Sequence, residues 1–120
     1  MSNFGRTALG NSFAYLDLSL QGSGLIDISL IGNYKELQNL DLSYNNIKDL
    51  SVLSELKYLV SLNVSNNQVE KPFDFLTPYN LKEAWFSFNN IREIGNLSNY
   101  HYLQTLDLSR NKPRIITYYC

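Results

Sequence analysis

Apolar and polar residues alternate along this chain in a block that returns at a fixed interval. Leu37-Gln-Asn-Leu-Asp-Leu-Ser-Tyr-Asn-Asn-Ile47 is followed by Leu59-Val-Ser-Leu-Asn-Val-Ser-Asn-Asn-Gln-Val69. Leu81-Lys-Glu-Ala-Trp-Phe-Ser-Phe-Asn-Asn-Ile91 and Leu103-Gln-Thr-Leu-Asp-Leu-Ser-Arg-Asn111 come next. The blocks start at 37, 59, 81 and 103, a period of 22 residues. A weaker copy precedes them in register: Tyr15, Leu18, Leu20, Leu25 and Ile28 stand 22 residues before Leu37, Leu40, Leu42, Ile47 and Leu50, with Ser23 where later copies carry asparagine. Within each block, positions four and six alternate with polar neighbours, the period-two pattern of a short strand with one face turned inward. These inward pairs are Leu40 and Leu42, Leu62 and Val64, Ala84 and Phe86, Leu106 and Leu108. After position nine the spacing changes to three, as in Ile47, Leu50, Leu53 and in Ile91, Ile94, Leu97. A step of three keeps one face inside only if the backbone makes short 3₁₀ or helical turns. Val69, Pro72 and Phe75 keep that step, but Pro72 and Pro78 predict an irregular outer segment in the third copy.

A block of the form L-x-x-L-x-L-x-x-N at a period between about 20 and 29 residues resembles the leucine-rich repeat. The fold this implies is an α/β repeat solenoid. It is a horseshoe of about five repeats with a short parallel sheet on the concave face and irregular or 3₁₀ segments on the convex face. Repeats starting at 15, 37, 59, 81 and 103 occupy 15–120, and 1–14 is expected to cap the first coil. No coil buries its own face, so stability lies in the stack. Asn45, Asn67, Asn89 and Asn111 form a structural column, each amide placed to satisfy backbone groups of adjoining coils that have no ladder partner. Beyond Asn111, Pro113 takes the place of the usual apolar residue, and the apolar edge there calls for a partner or further repeats.

Composition narrows the function. Lys plus Arg is 10 against Asp plus Glu 11, which gives no concentrated basic surface for nucleic acid. Nothing approaches the roughly 20 apolar residues that span a bilayer. The first ten residues contain no run of signal-peptide character, and one cysteine, Cys120, forms no internal disulfide, so a cytoplasmic setting is expected. Catalysis needs a nucleophile with its base, paired carboxylates or a metal set. His101 is the sole histidine and lacks companions at ligand spacing; Gly22 and Gly24 read as turn residues rather than a phosphate loop. Asn63-Val-Ser65 and Asn96-Leu-Ser98 match glycosylation sequons without secretory context. An enzyme is not expected, nor a cofactor, a metal or a small-molecule substrate.

What remains is the concave face. Strand positions three and five project from it and give a row of candidates for partner binding: Asp17, Asn39, Asp41, Asn63, Glu83, Trp85 and Asp107. Position five holds Ser, Asp, Asn and Asp in the other repeats, so Trp85 stands out as an aromatic on the binding side. The competing expectation is that Trp85 folds over its own repeat to compensate for the small Ala84. Phe88, with Tyr44, flanks it on the rim at position eight. The carboxylates give either an acidic face suited to a basic partner segment or a plainly solvated row.

At the level of framework, the chain resembles short intracellular leucine-rich repeat proteins. These include the regulatory subunit of type-one protein phosphatase, the axonemal dynein light chain with such repeats and a spliceosomal subunit. Gly10-Asn-Ser-Phe-Ala-Tyr15, Leu25-Ile-Asp-Ile-Ser-Leu30, Leu40-Asp-Leu-Ser-Tyr-Asn45, Asp49-Leu-Ser-Val-Leu-Ser54 and Phe86-Ser-Phe-Asn-Asn-Ile91 are similar to the leucine-rich repeat family of the ciliary radial spoke. That resemblance covers roughly residues 9 to 112. It implies a non-enzymatic scaffold of the axoneme in motile cilia or flagella, with other radial-spoke proteins as partners. The chain departs from the family in its number of repeats, in lacking charged tails, and in carrying Trp85 where the family has a small polar residue. The alternative is a regulatory subunit that binds and directs an enzyme such as a protein phosphatase; a fragment of a gene model is a third reading.

Overall fold

The computed structural model describes residues 3–6, 13–73, 75, 78, 80–95 and 97–111. Each 22-residue block makes one turn of a coil, and successive coils stack. Strands β1 (Asn3–Arg6), β2 (Phe13–Ser19), β3 (Asn39–Asp41), β4 (Ser61–Asn63), β5 (Glu83–Trp85) and β6 (Thr105–Asp107) form one sheet in that order. Strands β2 to β6 are parallel, and their register follows the sequence period: Leu18, Leu40, Leu62, Ala84 and Leu106 pair in succession. Residues on either side of each member of that row point to the opposite face.

Alternation sets the core. Leu40, Leu42, Leu62, Val64, Ala84 and Phe86 are buried, while Leu106 and Leu108 in the last described coil are half-buried. A fully buried leucine contributes roughly 1.5–3 kcal/mol, and this column runs through every coil. The return path is a chain of three-residue turns. In the second repeat Leu53 N–H donates to Leu50 O, Leu56 N–H to Leu53 O and Leu59 N–H to Leu56 O. Leu50, Leu53, Leu56 and Leu59 are all buried, because every third residue faces inward in such a turn. The turns lengthen into 3₁₀ segments at Ser29–Asn33 and Ser51–Glu55. Asp27 and Asp49 precede them, and each carboxylate accepts the N–H two residues on, from Ser29 at 2.9 Å and Ser51 at 2.8 Å. In the third repeat Pro72 and Pro78 are buried, and Pro72 sits in a turn. Phe73 packs there on Phe86 and Tyr100 with ring centroids 5.3 and 4.6 Å apart. Bulk on the inner side of the fourth repeat therefore comes from these rings.

Of segment 1–14, the described part is β1 and the start of β2. They pair antiparallel, Phe4 opposite Tyr15 and Arg6 opposite Phe13. A strand in this place takes up hydrogen bonds that the first parallel strand otherwise leaves open at the sheet edge. Asn96, Lys112, Pro113 and Cys120 lie outside the described residues.

Candidate interaction face

Asparagine at position nine ties the coils together. Asn67 Nδ2 donates to Val64 O of its own coil and Leu42 O of the preceding one, both at 3.0 Å, and to Ser65 O at 3.2 Å. Its Oδ1 accepts Ile47 N–H at 2.9 Å. Asn45, Asn89 and Asn111 repeat the set in the coils before and after. The position-six carbonyls of Leu42, Val64 and Phe86 are thereby each shared between two asparagines; Leu42 O serves Asn45 and Asn67. Ser23, where the first repeat lacks asparagine, donates its N–H to Asn45 Oδ1.

The residue before each asparagine carries a feature the sequence pattern did not reveal. Gly22, Tyr44, Asn66, Phe88 and Arg110 all adopt positive φ, between 56° and 66°. Glycine and asparagine enter this left-handed region readily, whereas a bulky side chain there is an outlier. The turn demands it, because the N–H at this position reaches the position-seven carbonyl of the next coil, as from Tyr44 to Ser65 at 3.0 Å and from Phe88 to Ser109 at 3.1 Å. Tyr44 and Phe88 are 60% and 54% exposed as residues.

The projecting strand residues lie together, as the ladder requires. Asp17, Asn39, Ser61, Glu83 and Thr105 pair across the sheet in one row, and Ser19, Asp41, Asn63, Trp85 and Asp107 in the other. Part of these rows, Asp17, Asn39, Asp41, Ser61, Asn63 and Trp85, bounds a shallow, open groove of about 370 Å³. Trp85 is half-buried and faces this groove, on the side of the sheet away from Ala84.

Several row members also have internal work. Asn39 Nδ2 donates to Asp17 Oδ1 at 2.6 Å. Asp41 Oδ1 accepts Ser43 N–H at 3.0 Å and its hydroxyl at 2.7 Å. Asn63 Oδ1 accepts Ser65 N–H at 3.0 Å, and Asp107 Oδ1 accepts Ser109 N–H at 2.9 Å. The hydroxyl and then the N–H of Ser109 hold the Asp107 carboxyl below its ordinary range. The signal for these turns was present as recurring Asp-Leu-Ser and Asn-Val-Ser spacing; in Asn63-Val-Ser65 the tripeptide that matches a sequon closes a turn of this kind. Trp85 is the departure, since an indole has no acceptor to offer Ser87. Ser87 instead donates its hydroxyl to Ser65 Oγ at 3.0 Å.

A sheet of five parallel strands with 3₁₀ returns and an asparagine ladder decides the architecture. The fold is a leucine-rich repeat solenoid. Residues 35–78 match the family model for leucine-rich repeats in two copies. A crystal structure of an internalin from Listeria monocytogenes is similar over 87% of this chain and 45% of that one, with 28% identity and a TM-score of 0.75. A second internalin from the same organism matches 88% of this chain and 29% of its own, with 27% identity and a TM-score of 0.69. The leucine-rich repeat domain of APL1B, at 22% identity and a TM-score of 0.70, shares the fold over 84% of this chain and 32% of that one. The chain thus spans less than half the length of each of these structures. No curated protein sequence matches it.

Among the described residues no group of three or more His, Cys, Asp or Glu side chains is placed to hold a metal ion, and His101 is exposed on the surface. No helix among them is long and apolar enough to cross a membrane.

Proposed function

We propose that this chain is a non-enzymatic protein–protein interaction scaffold that receives its partner on the strand face. Its setting, in this reading, is the axonemal radial spoke of motile cilia or flagella. The observation that carries the first part is Trp85. In three of the other repeats this position holds an acceptor that closes a turn onto the next serine, at Asp41, Asn63 and Asp107. At Trp85 that acceptor is replaced by a large ring beside an open groove, and aromatic anchors are enriched at interface hot spots. The solenoid supports the role physically, because stacked coils give a rigid, extended surface built from many small contacts. The axonemal setting, and with it the cytoplasmic and ciliary location, rests on the resemblance of residues 9 to 112 to the radial-spoke family.

The test is affinity purification of the tagged protein from ciliated cells, with cross-linking and mass spectrometry of the eluate. Radial-spoke proteins joined to Lys82, exposed beside β5, support the scaffold and its surface. A phosphatase or another soluble enzyme in their place turns the reading to a regulatory subunit.

A further inference from the structure

The geometry points to a cationic peptide segment, bearing arginine or lysine side chains, as the occupant of the strand face, seated against Trp85 and the exposed rim rings of Tyr44 and Phe88. This rests on the strand face being the interaction surface and names the chemistry it selects.

The aromatic rim comes first. Position eight demands the left-handed region, and Gly22 and Asn66 meet that demand with residues suited to it. Tyr44 and Phe88 occupy the same backbone state at φ 59° and 56°, yet both residues are more than half exposed. Packing within the fold therefore returns little for holding a bulky residue where asparagine or glycine fits better. Strain of this kind collects at binding sites, where surroundings over-determine the conformation. Phe88 follows Trp85 by three residues on the same coil, and Tyr44 lies on the rim two coils before Phe88. Tyr44 and Phe88 stand about 10 Å apart along the stack, from a strand spacing of about 4.8 Å.

Charge decides the occupant. The projecting strand positions from Asp17 to Asp107 carry Asp17, Asp41, Glu83 and Asp107 and no lysine or arginine. Two of these carboxylates are fixed in orientation by the serine two residues on, Asp41 by Ser43 and Asp107 by Ser109. Ionised carboxylates held in place keep acceptor sites free for a donor on the other side. An acidic floor beside aromatic faces matches a cation in two ways, since guanidinium and ammonium groups pair with carboxylates and also stack over Trp, Tyr and Phe. Lys82 and Arg110 are exposed on the coils of Glu83 and Asp107 but stand outside the projecting strand positions. From β2 to β6 the face spans about 19 Å, the reach of about six residues of extended chain.

Trp85 is the sole tryptophan, so its emission reports on this face directly. The probe is an octapeptide of alternating arginine and serine, blocked at both ends, compared with its glutamate–serine counterpart. The arginine peptide is expected to shift Trp85 emission saturably and to bind about tenfold more weakly when salt rises to about 0.5 M. Asp41→Asn, Glu83→Gln and Asp107→Asn together should weaken binding about tenfold with the fold retained, because Asn63 already closes the same turn with an amide. Phe88→Asn should lose binding while melting does not fall, a pairing that a purely structural role for the ring does not produce. Equal binding of the two peptides, a triple variant that binds as the parent does, or no Trp85 response to either peptide overturns the proposal. A native partner captured through Trp85 but untouched by the charge variants overturns the cationic occupant and leaves the interaction face standing. Capture unaffected by both Trp85→Ala and the charge variants overturns both.

Discussion

Replacing Asn67 by alanine removes the rung that joins the second and third coils, and its cost follows from the bonds it makes. Val64 O keeps Asn89 at 3.0 Å and Leu42 O keeps Asn45 at 2.9 Å, so neither carbonyl is orphaned. Ile47 N–H is different. It belongs to a fully buried residue and donates to Asn67 Oδ1 at 2.9 Å, an acceptor that alanine does not supply. An orphaned buried donor costs about 1–3 kcal/mol, and two lost carbonyl bonds add roughly 0.5–1 kcal/mol each. The sum is about 3 kcal/mol, which for a chain of this size lowers the melting temperature by about 10 °C. Asn111→Ala breaks the same kind of set where it is only partly buried, so about half that loss is expected. Gln68→Ala is the control: among the described residues its side chain bonds to Asn46, at 3.4 Å on the surface, and its loss should cost less than about 0.5 kcal/mol. Urea unfolding followed by circular dichroism and Trp85 emission measures all three. Asn67→Ala melting alongside Gln68→Ala would refute the claim that the amide column holds the coils together.

Further outcomes follow from particular positions. Phe88→Asn should leave stability unchanged or raise it by up to about 1 kcal/mol, because the left-handed backbone at φ 56° suits asparagine better than phenylalanine; Gly22→Ala, at φ 66°, should lower it by about 1 kcal/mol, both read from thermal melts. Gly32→Ala should cost about 1–2 kcal/mol, since a Cβ there meets Val52 Cγ2 at 2.9 Å and a β-branched neighbour has little room to turn. Asp27 and Asp49 are held below their ordinary range first by the N–H and then by the hydroxyl of Ser29 and Ser51. Asp107 is held so by Ser109. A carboxylate with a lowered folded pKa stabilises the fold above its unfolded value and loses that contribution as pH falls through the folded one. Stability should therefore decline on acidification below about pH 4, and Asp107→Asn should flatten that decline in a pH series of urea midpoints.

The architecture was legible because period and side-chain direction are tied together: a 22-residue spacing brings Leu18, Leu40, Leu62, Ala84 and Leu106 to one register, and alternation turns them inward. The turn beyond the strand was not legible. Gly22, Tyr44, Asn66, Phe88 and Arg110 share a backbone state but no side-chain chemistry, so composition gives no sign of it. The row of acidic strand residues was visible, but its double use was hidden. Asp41 and Asp107 bond to their own serines as well as standing on the projecting row, and only hydrogen-bond geometry separates those roles. At Trp85 the sequence offered two directions for one ring, and strand pairing with Asn63 and Asp107 places it on the projecting row.

The most direct measurement compares what three forms of the tagged chain capture from ciliated cells, quantified by mass spectrometry. These are the parent, Trp85→Ala on the strand face and Lys57→Glu at an exposed site on the return side. The partner should be lost with Trp85→Ala and retained with Lys57→Glu, while both variants melt like the parent. Loss with Lys57→Glu and full retention with Trp85→Ala would contradict this expectation and move the interaction to the convex side.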